Sequence, residues 1–249
     1  MRLRFADRVR PEELSGSVIV ARGPRHAQAV VAGIVADAPY PDQIVAIASD
    51  ALAPTCYAYC VVWQDRATLA VALADRFPEA WPRFEGARAA FAALGLSRFS
   101  NEHRFGGRAS ISLALPLEQD GRLYVGEAAG LQDYFLGFGL RYAVLSGHLA
   151  ARSLLTGQSY VELIARELHP NLRVGFVNRL LYNHLGDRGY RWFIQWAARA
   201  ADVRARARRV YALTPLHRAL WPLARLLARR NGGSLTPGSS GHITHGARG

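Results

Sequence analysis

The chain has 249 residues, 50% of them hydrophobic, enough for one domain or a closely joined pair with a sizeable core. Its formal net charge is +12, and all 31 basic residues are arginine. Without lysine, a P-loop lysine, a Schiff-base lysine and a kinase-type lysine are excluded.

The charged start, MRLRFADRVRPEEL, carries no secretory signal. No apolar run reaches the roughly 18 residues of a membrane span. A cytoplasmic protein is expected. From Arg199 onward there are ten arginines and one acid, Asp202. No DNA- or RNA-recognition motif accompanies that charge, so no nucleic-acid partner is expected. Cys56 and Cys60 lack a nearby His pair and make a poor metal site. They read as buried free thiols, and no metal is expected.

The first predicted element is a strand over Ser17–Ala21, followed by a turn and a short helix ending near residue 34. Three β-rich runs, Gln43–Ser49, Tyr57–Trp63 and Thr68–Leu73, read as antiparallel strands. On the second run Cys56, Ala58 and Cys60 share one face, and Tyr57, Tyr59 and Val61 share the other. Residues 74–97 read as a helix, with Ala80, Phe84, Ala87, Phe91 and Leu94 at helical spacing and Gly95 as its C-cap. Phe99–Gly107 is polar and reads as a loop. Its adjacent Glu102 and His103 have no special acid–base geometry. A strand over Ala109–Pro116, a tight turn at Gln119-Asp120-Gly121 and a strand over Arg122–Val125 follow.

The next stretch, Gly126–Ala151, reads GEAAGLQDYFLGFGLRYAVLSGHLAA. Its glycines let backbone approach a ligand where Cβ atoms would collide. A helix begins at Leu140, with Leu140, Ala143, Val144, Gly147 and Ala151 on one face. Its unpaired N–H groups suit a phosphate or an electron-rich ring edge. Further helices are predicted over Leu140–Thr156, Tyr160–Leu168, Leu172–His184 and Tyr190–Ala212. The last helix, Pro215–Arg230, sets Leu216, Leu220, Leu223, Ala224 and Leu227 opposite Arg218, Arg225 and Arg229. It can rest on an anionic membrane surface or pack on its own domain, and Pro222 is expected to kink it. Residues 231–249 read as a disordered tail, in which His242 and His245 are too sparse for a metal site.

The central stretch resembles the second flavin-binding motif of the geranylgeranyl-reductase family of FAD-dependent oxidoreductases, roughly G-D-A-A-G-x-x-D-P-x-x-G-x-G-I-x-x-A-x-x-S-G-x-x-A-A. Gly126, Ala128, Ala129, Gly130, Asp133, Gly137, Gly139, Ala143, Ser146, Gly147, Ala150 and Ala151 match. Glu127 stands for the family's aspartate, and Tyr134 for a proline that shapes the turn. The resemblance implies FAD as cofactor, held by Gly126, Glu127, Ala128, Gly137, Phe138, Gly139 and Leu140. Glu127 would bind the ribityl chain, and the amides near the later glycines the pyrimidine edge. It also implies hydride delivery to a carbon–carbon double bond of a prenyl or lipid-like substrate, with Tyr57, Tyr59 and Val61 lining the cavity. These three sit where the family has P-x-x-Y-x-W-x-F-P, of which Pro54 and Tyr57 match. Near the start, Ala21, Gly23, Pro24 and Arg25 match A-D-G-P-R-S, while Arg22 replaces the aspartate and His26 the serine. Towards the end, NRLLYNHLGDRGYRWF is similar to the family's helical cap. No residue stands out as a catalytic acid.

A complete protein of this kind opens with strand, GxGxxG and helix, which hold the ADP half of FAD. This sequence has no GxGxxG. A fragment, a split gene or a degenerate relative is expected. A non-catalytic chain that needs a partner to supply the dinucleotide-binding front is the alternative to an enzyme. The fold expected is α/β: a partial, Rossmann-like FAD-binding domain with an inserted antiparallel substrate sheet and a C-terminal helical region. The expected segments are an FAD-domain remnant over 1–38, a substrate sheet with helix over 39–116, the second FAD motif over 117–156, a helical cap over 157–230 and the tail. A lipid-like substrate and the amphipathic last helix leave a peripheral place on an anionic membrane open beside a purely cytoplasmic one.

Overall fold

The structure is a computed structural model and describes residues 5, 9–24, 27–110 and 116–230. Arg25, His26 and the 231–249 tail, with His242 and His245, lie outside the described residues, as do residues 111–115 of the strand expected over Ala109–Pro116. The strands are β1 (Val18–Val20), β2 (Ala29–Asp37), β3 (Gln43–Ile47), β4 (Ala58–Trp63), β5 (Arg66–Leu73), β6 (Ser100–Ala109), β7 (Glu118–Gln119) and β8 (Arg122–Tyr124). The helices are α1 (Ala80–Ala93), α2 (Leu140–Thr156), α3 (Tyr160–Glu167), α4 (His169–Tyr182), α5 (Gly186–Ala198), α6 (Val203–Val210) and α7 (Pro215–Arg230).

Two sheets result. The larger is antiparallel throughout, in the order β3-β4-β5-β2-β6. Period-two alternation gives it two faces. Ala58, Cys60 and Val62 of β4 point into a core closed by Phe84, Ala87 and Phe91 of α1. Tyr57, Tyr59 and Val61 lie half-buried on the opposite side. The smaller sheet has the order β1-β8-β7, with β1 and β8 parallel (Val18 opposite Arg122, Val20 opposite Tyr124). Its core combines Val18, Val20, Leu123 and Tyr124 with Leu149, Ile164, Phe176 and Ala224 of the helices. The strand–sheet–strand crossover thus brings residue 20 beside residue 124, where the central turn begins.

Several sequence expectations need correction. Ala29–Asp37 is not a short helix. Its run AVVAGIVAD pairs on both sides, with β5 and β6, so the larger sheet begins at Ala29 and not at residue 39. The polar Phe99–Gly107 run is no loop: it is edge strand β6, whose side chains are nearly all in water. One helix over Tyr190–Ala212 is instead two. α5 already starts at Gly186, and the Asp202 carboxylate accepts the Ala205 N–H at 3.0 Å, capping α6. The face of α2 bearing Leu140, Val144, Gly147 and Ala151 looks outward, while Tyr142, Ser146, Leu149 and Ala150 are buried. Leu140 is 81% exposed and Leu155 86%.

Helix α7 runs through Pro222. Its Ala224 and Ala228 are buried in the core of the smaller sheet, with Leu220, Trp221 and Leu227 packed alongside. Leu216, Leu223 and Leu226 stay exposed. Among the described residues no helix is long and apolar enough to cross a membrane.

Candidate functional site

Strand β8 ends at Tyr124, and the chain enters a single 3-10 turn over Gly126–Ala129. Gly126 has φ +55°, and its N–H donates to Ser146 Oγ at 2.9 Å. A Cβ on Gly126 would lie 3.2 Å from Ala143 Cβ. A side chain here would push the turn off α2, which is why a glycine opens the motif.

The loop from Gly130 to Gly139 is closed by its own polar groups. Asp133, 3% exposed, accepts the Phe135 N–H at 3.1 Å and the Leu136 N–H at 3.0 Å. Its carbonyl accepts the Gly137 N–H at 2.9 Å, and its N–H donates to the Phe138 carbonyl at 3.1 Å. Tyr134, at the family's proline position, shapes the turn differently: its buried hydroxyl donates to the Gly130 carbonyl at 2.7 Å. The loop then delivers Gly139 as the residue before α2. The N–H groups of Leu140, Arg141 and Tyr142 have no partner one turn back, so they leave partial positive charge at that end.

Within this cradle the expected cofactor residues divide by exposure. Gly126 and Ala128 are buried. Gly137, Phe138 and Leu140 are exposed, while Gly139 and Glu127 are half-buried. Burial raises the Glu127 carboxyl above its ordinary pKa. A Cβ on Gly139 would lie 3.6 Å from Gln132 Oε1 and 3.9 Å from Glu127 Oε1, so both polar groups lie beside this glycine.

The expected substrate residues adjoin the cradle. The Tyr57 hydroxyl donates to the Leu136 carbonyl at 2.6 Å, one residue before Gly137. Tyr59 follows on the same face, its ring centroid 6.0 Å from that of Tyr57. Val61 lies two residues further out along β4, half-buried. Burial holds both tyrosine hydroxyls protonated, above their ordinary range. Tyr142, under the start of α2, is likewise pushed up to about 12, mainly by burial. Hydroxyls kept protonated in this way do not act as bases near neutral pH.

Three residues that the sequence does not single out belong to this region. Gln132 is fully buried, and among the described residues neither its Oε1 nor its Nε2 has a hydrogen-bond partner. Tyr211 donates to Asp133 Oδ2 at 2.7 Å. Arg179, 5% exposed, places Nη2 3.6 Å from Cys56 Sγ and its guanidinium 5.9 Å from the Tyr182 ring centroid. No pattern in the chain marks them, because each depends on what the fold brings near. Both cysteines are free and buried. Glu102 is held by a two-pronged pair with Arg88, at 2.8 and 2.5 Å, which leaves it no acid–base role with His103.

No protein-family model and no curated protein matches the chain. Among solved structures it is similar to a geranylgeranyl bacteriochlorophyll reductase-like protein from Thermoplasma acidophilum, with a TM-score of 0.55 and 14% identity. That match covers 82% of this chain and 55% of the other. The chain is therefore a mixed α/β protein with that protein's fold, spanning about half its length. A flavoprotein/dehydrogenase from Cytophaga hutchinsonii matches at a TM-score of 0.42 and 14% identity, over 80% of this chain and 55% of that one. A tryptophan halogenase from Shewanella frigidimarina matches at 0.37 and 13% identity, over 83% and 47%. A likeness at these two levels says nothing about activity.

Proposed function

We propose that this chain is part of an FAD-dependent oxidoreductase that reduces a carbon–carbon double bond of a prenyl or other lipid-like substrate. The observation that carries this reading is the half-buried Glu127 carboxyl. Among the described residues it makes no hydrogen bond or ion pair, and it faces the open side of Gly139 at the start of α2. A carboxylate so placed is free to accept the hydroxyls of a ribityl chain. The three free N–H groups of α2 suit the electron-rich pyrimidine edge. The residues present therefore fit the cofactor. Reduced flavin, when bound, supplies the hydride.

The chain's own part is to bind and orient. Tyr57, tied to the Leu136 carbonyl, keeps the sheet face in register with the cradle. Tyr59 and Val61 extend an apolar surface away from it, which suits an isoprenoid chain because burying apolar area drives such a chain out of water. Arg179, buried and without a carboxylate partner among the described residues, suits an anionic head group. The exposed Leu216, Leu223 and Leu226, beside Arg218 and Arg225 on α7, suit an anionic membrane surface from which a lipid would be drawn.

The visible absorption spectrum of the purified chain, before and after FAD and desalting, tests the reading. Retained flavin absorbance is expected. A chain that stays colourless after saturating FAD overturns the stand-alone flavoprotein.

One observation favours a second reading, in which the chain holds FAD only with a partner supplying the dinucleotide-binding front. Among the described residues β1 is the open edge of the smaller, mixed sheet, pairing only with β8, and the outward face of α2 leaves Leu140, Val144 and Leu155 in water. An open cleft of about 500 Å³ runs along β1, lined by Val9, Pro11, Leu14, Ile19 and Arg22 among others. On this reading flavin is retained only when a second polypeptide with a strand–GxGxxG–helix front is co-expressed.

A further inference from the structure

Gln132 lies in the loop between Gly130 and Asp133 and is fully buried. Most buried side-chain amides hydrogen-bond at both ends. Here neither end has a partner among the described residues. Burying an amide unpaired is destabilising, because its lost hydrogen bonds to water are not replaced. An apolar side chain of similar size would avoid that cost, so packing alone does not account for a glutamine.

The side chain is aimed at the cradle. Its Oε1 lies 3.6 Å from the point where a Cβ on Gly139 would sit, and Glu127 Oε1 lies 3.9 Å from the same point. A carboxyl and a carboxamide thus lie within van der Waals reach of Gly139, the residue that heads α2. A helix start alone would accept any anion. The amide narrows the choice. It offers an acceptor and a donor side by side. A phosphate or carboxylate would satisfy Nε2 but set its own negative oxygens against Oε1. A ligand with a carbonyl next to an N–H satisfies both ends at once. An imide edge has that pattern, and the pyrimidine ring of a flavin carries one.

We infer that Gln132 is a flavin-binding residue whose carboxamide pairs with the carbonyl and N3–H of the pyrimidine edge beside Gly139. This rests on the flavin reading of the site. It adds a specificity element: the cradle selects an imide-bearing ring and not simply an anion.

The test uses the full chain, riboflavin and N3-methylriboflavin, which lacks the N3–H donor, with binding followed by quenching of flavin fluorescence. Wild type is expected to bind riboflavin about tenfold more tightly than the methylated form, the worth of one good hydrogen bond. Gln132→Leu is expected to lose about tenfold in riboflavin affinity and to stop discriminating. It should also melt no lower than wild type, because the orphaned amide is gone. A Leu variant that melts lower yet keeps affinity and discrimination assigns Gln132 a purely structural part and overturns the inference. So does a wild type that binds both flavins equally, whether or not the variant folds. Wild type that binds neither flavin overturns the flavin reading of the site, and this inference with it.

Discussion

The Tyr211 hydroxyl donates to Asp133 Oδ2 at 2.7 Å, across 78 residues of chain. Asp133 is a buried carboxylate whose charge is met by that hydroxyl and the N–H groups of Phe135 and Leu136. Burial first, and then the Asp133 charge, keep Tyr211 protonated. Tyr211→Phe keeps the ring contact with Phe135 and removes one hydrogen bond to the carboxylate. The expected cost is roughly 1.5–3 kcal/mol, because hydrogen bonds to charged groups are the strong ones. For a chain of this size that lowers Tm by roughly 3–12 °C. Calorimetry of the variant checks it; an unchanged Tm would mean water replaces the hydroxyl without loss.

Glu127 gives a pH signature. Burial raises its carboxyl above the ordinary pKa, so the folded chain holds that proton more tightly than the unfolded chain does. Its contribution to stability is therefore complete below the ordinary carboxylate pKa and is lost as pH rises through the raised value. Glu127→Gln cannot ionise. It is expected to melt higher than wild type at pH 7 and to converge with it near about pH 4. Half-exposure to water keeps the gain under about 1 kcal/mol. Tm against pH for the two proteins decides it, and parallel curves would count against an ionisation penalty at this site.

Two glycines should respond to alanine with opposite signs. Gly33 lies in β2, where a Cβ would come within 2.5 Å of the Leu69 carbonyl and 2.6 Å of Ala70 Cβ. Both obstacles belong to the paired strand and cannot swing aside. Gly33→Ala is expected to cost at least about 2 kcal/mol. Gly147 lies inside α2, and a Cβ there meets nothing within 4 Å. Gly147→Ala is expected to stabilise the chain by up to about 1 kcal/mol, the helix-propensity difference. Urea unfolding of both variants reads the contrast.

Cys56 and Cys60 are 5% and 0% exposed, and burial raises the Cys60 thiol above its ordinary pKa. The thiolate is the reactive form. Ellman's reagent is therefore expected to label neither cysteine in the native protein and both in denaturant. Rapid labelling of the native chain would show that the core behind β4 opens easily.

The parts legible in the sequence are those whose pattern is local. Helix α2 falls at Leu140–Thr156 and α7 at Pro215–Arg230, as their periodicity predicts. The hairpins of β3, β4 and β5 follow from β-branched runs and turn residues, and Asp120-Gly121 turns with φ +51° and +72°. β2 is obscured because its alanines are good helix formers, and pairing on both sides overrides that preference. β6 is obscured because an exposed edge strand has no apolar alternation to display. At the site, Gly139 and Glu127 stand out in the motif. Gln132 does not: an orphaned amide is a property of its surroundings, and the sequence around it, GLQD, looks like any turn. The outward face of α2 misleads for a related reason, since apolar periodicity marks a stripe and not the direction in which it points.

That outward stripe acquires a further meaning from the clamp beneath it. Gly126 is pinned to Ser146 by a hydrogen bond and lies against Ala143, so the turn and α2 behave as one stiff piece. With 17 residues at about 1.5 Å each, the helix is a lever of about 25 Å that runs from the cradle to Leu155. Whatever seats along Leu140, Val144 and Leu155 leans on the same lever that sets the opening at Gly139. A partner on the stripe and a ligand in the cradle would therefore share one rigid support.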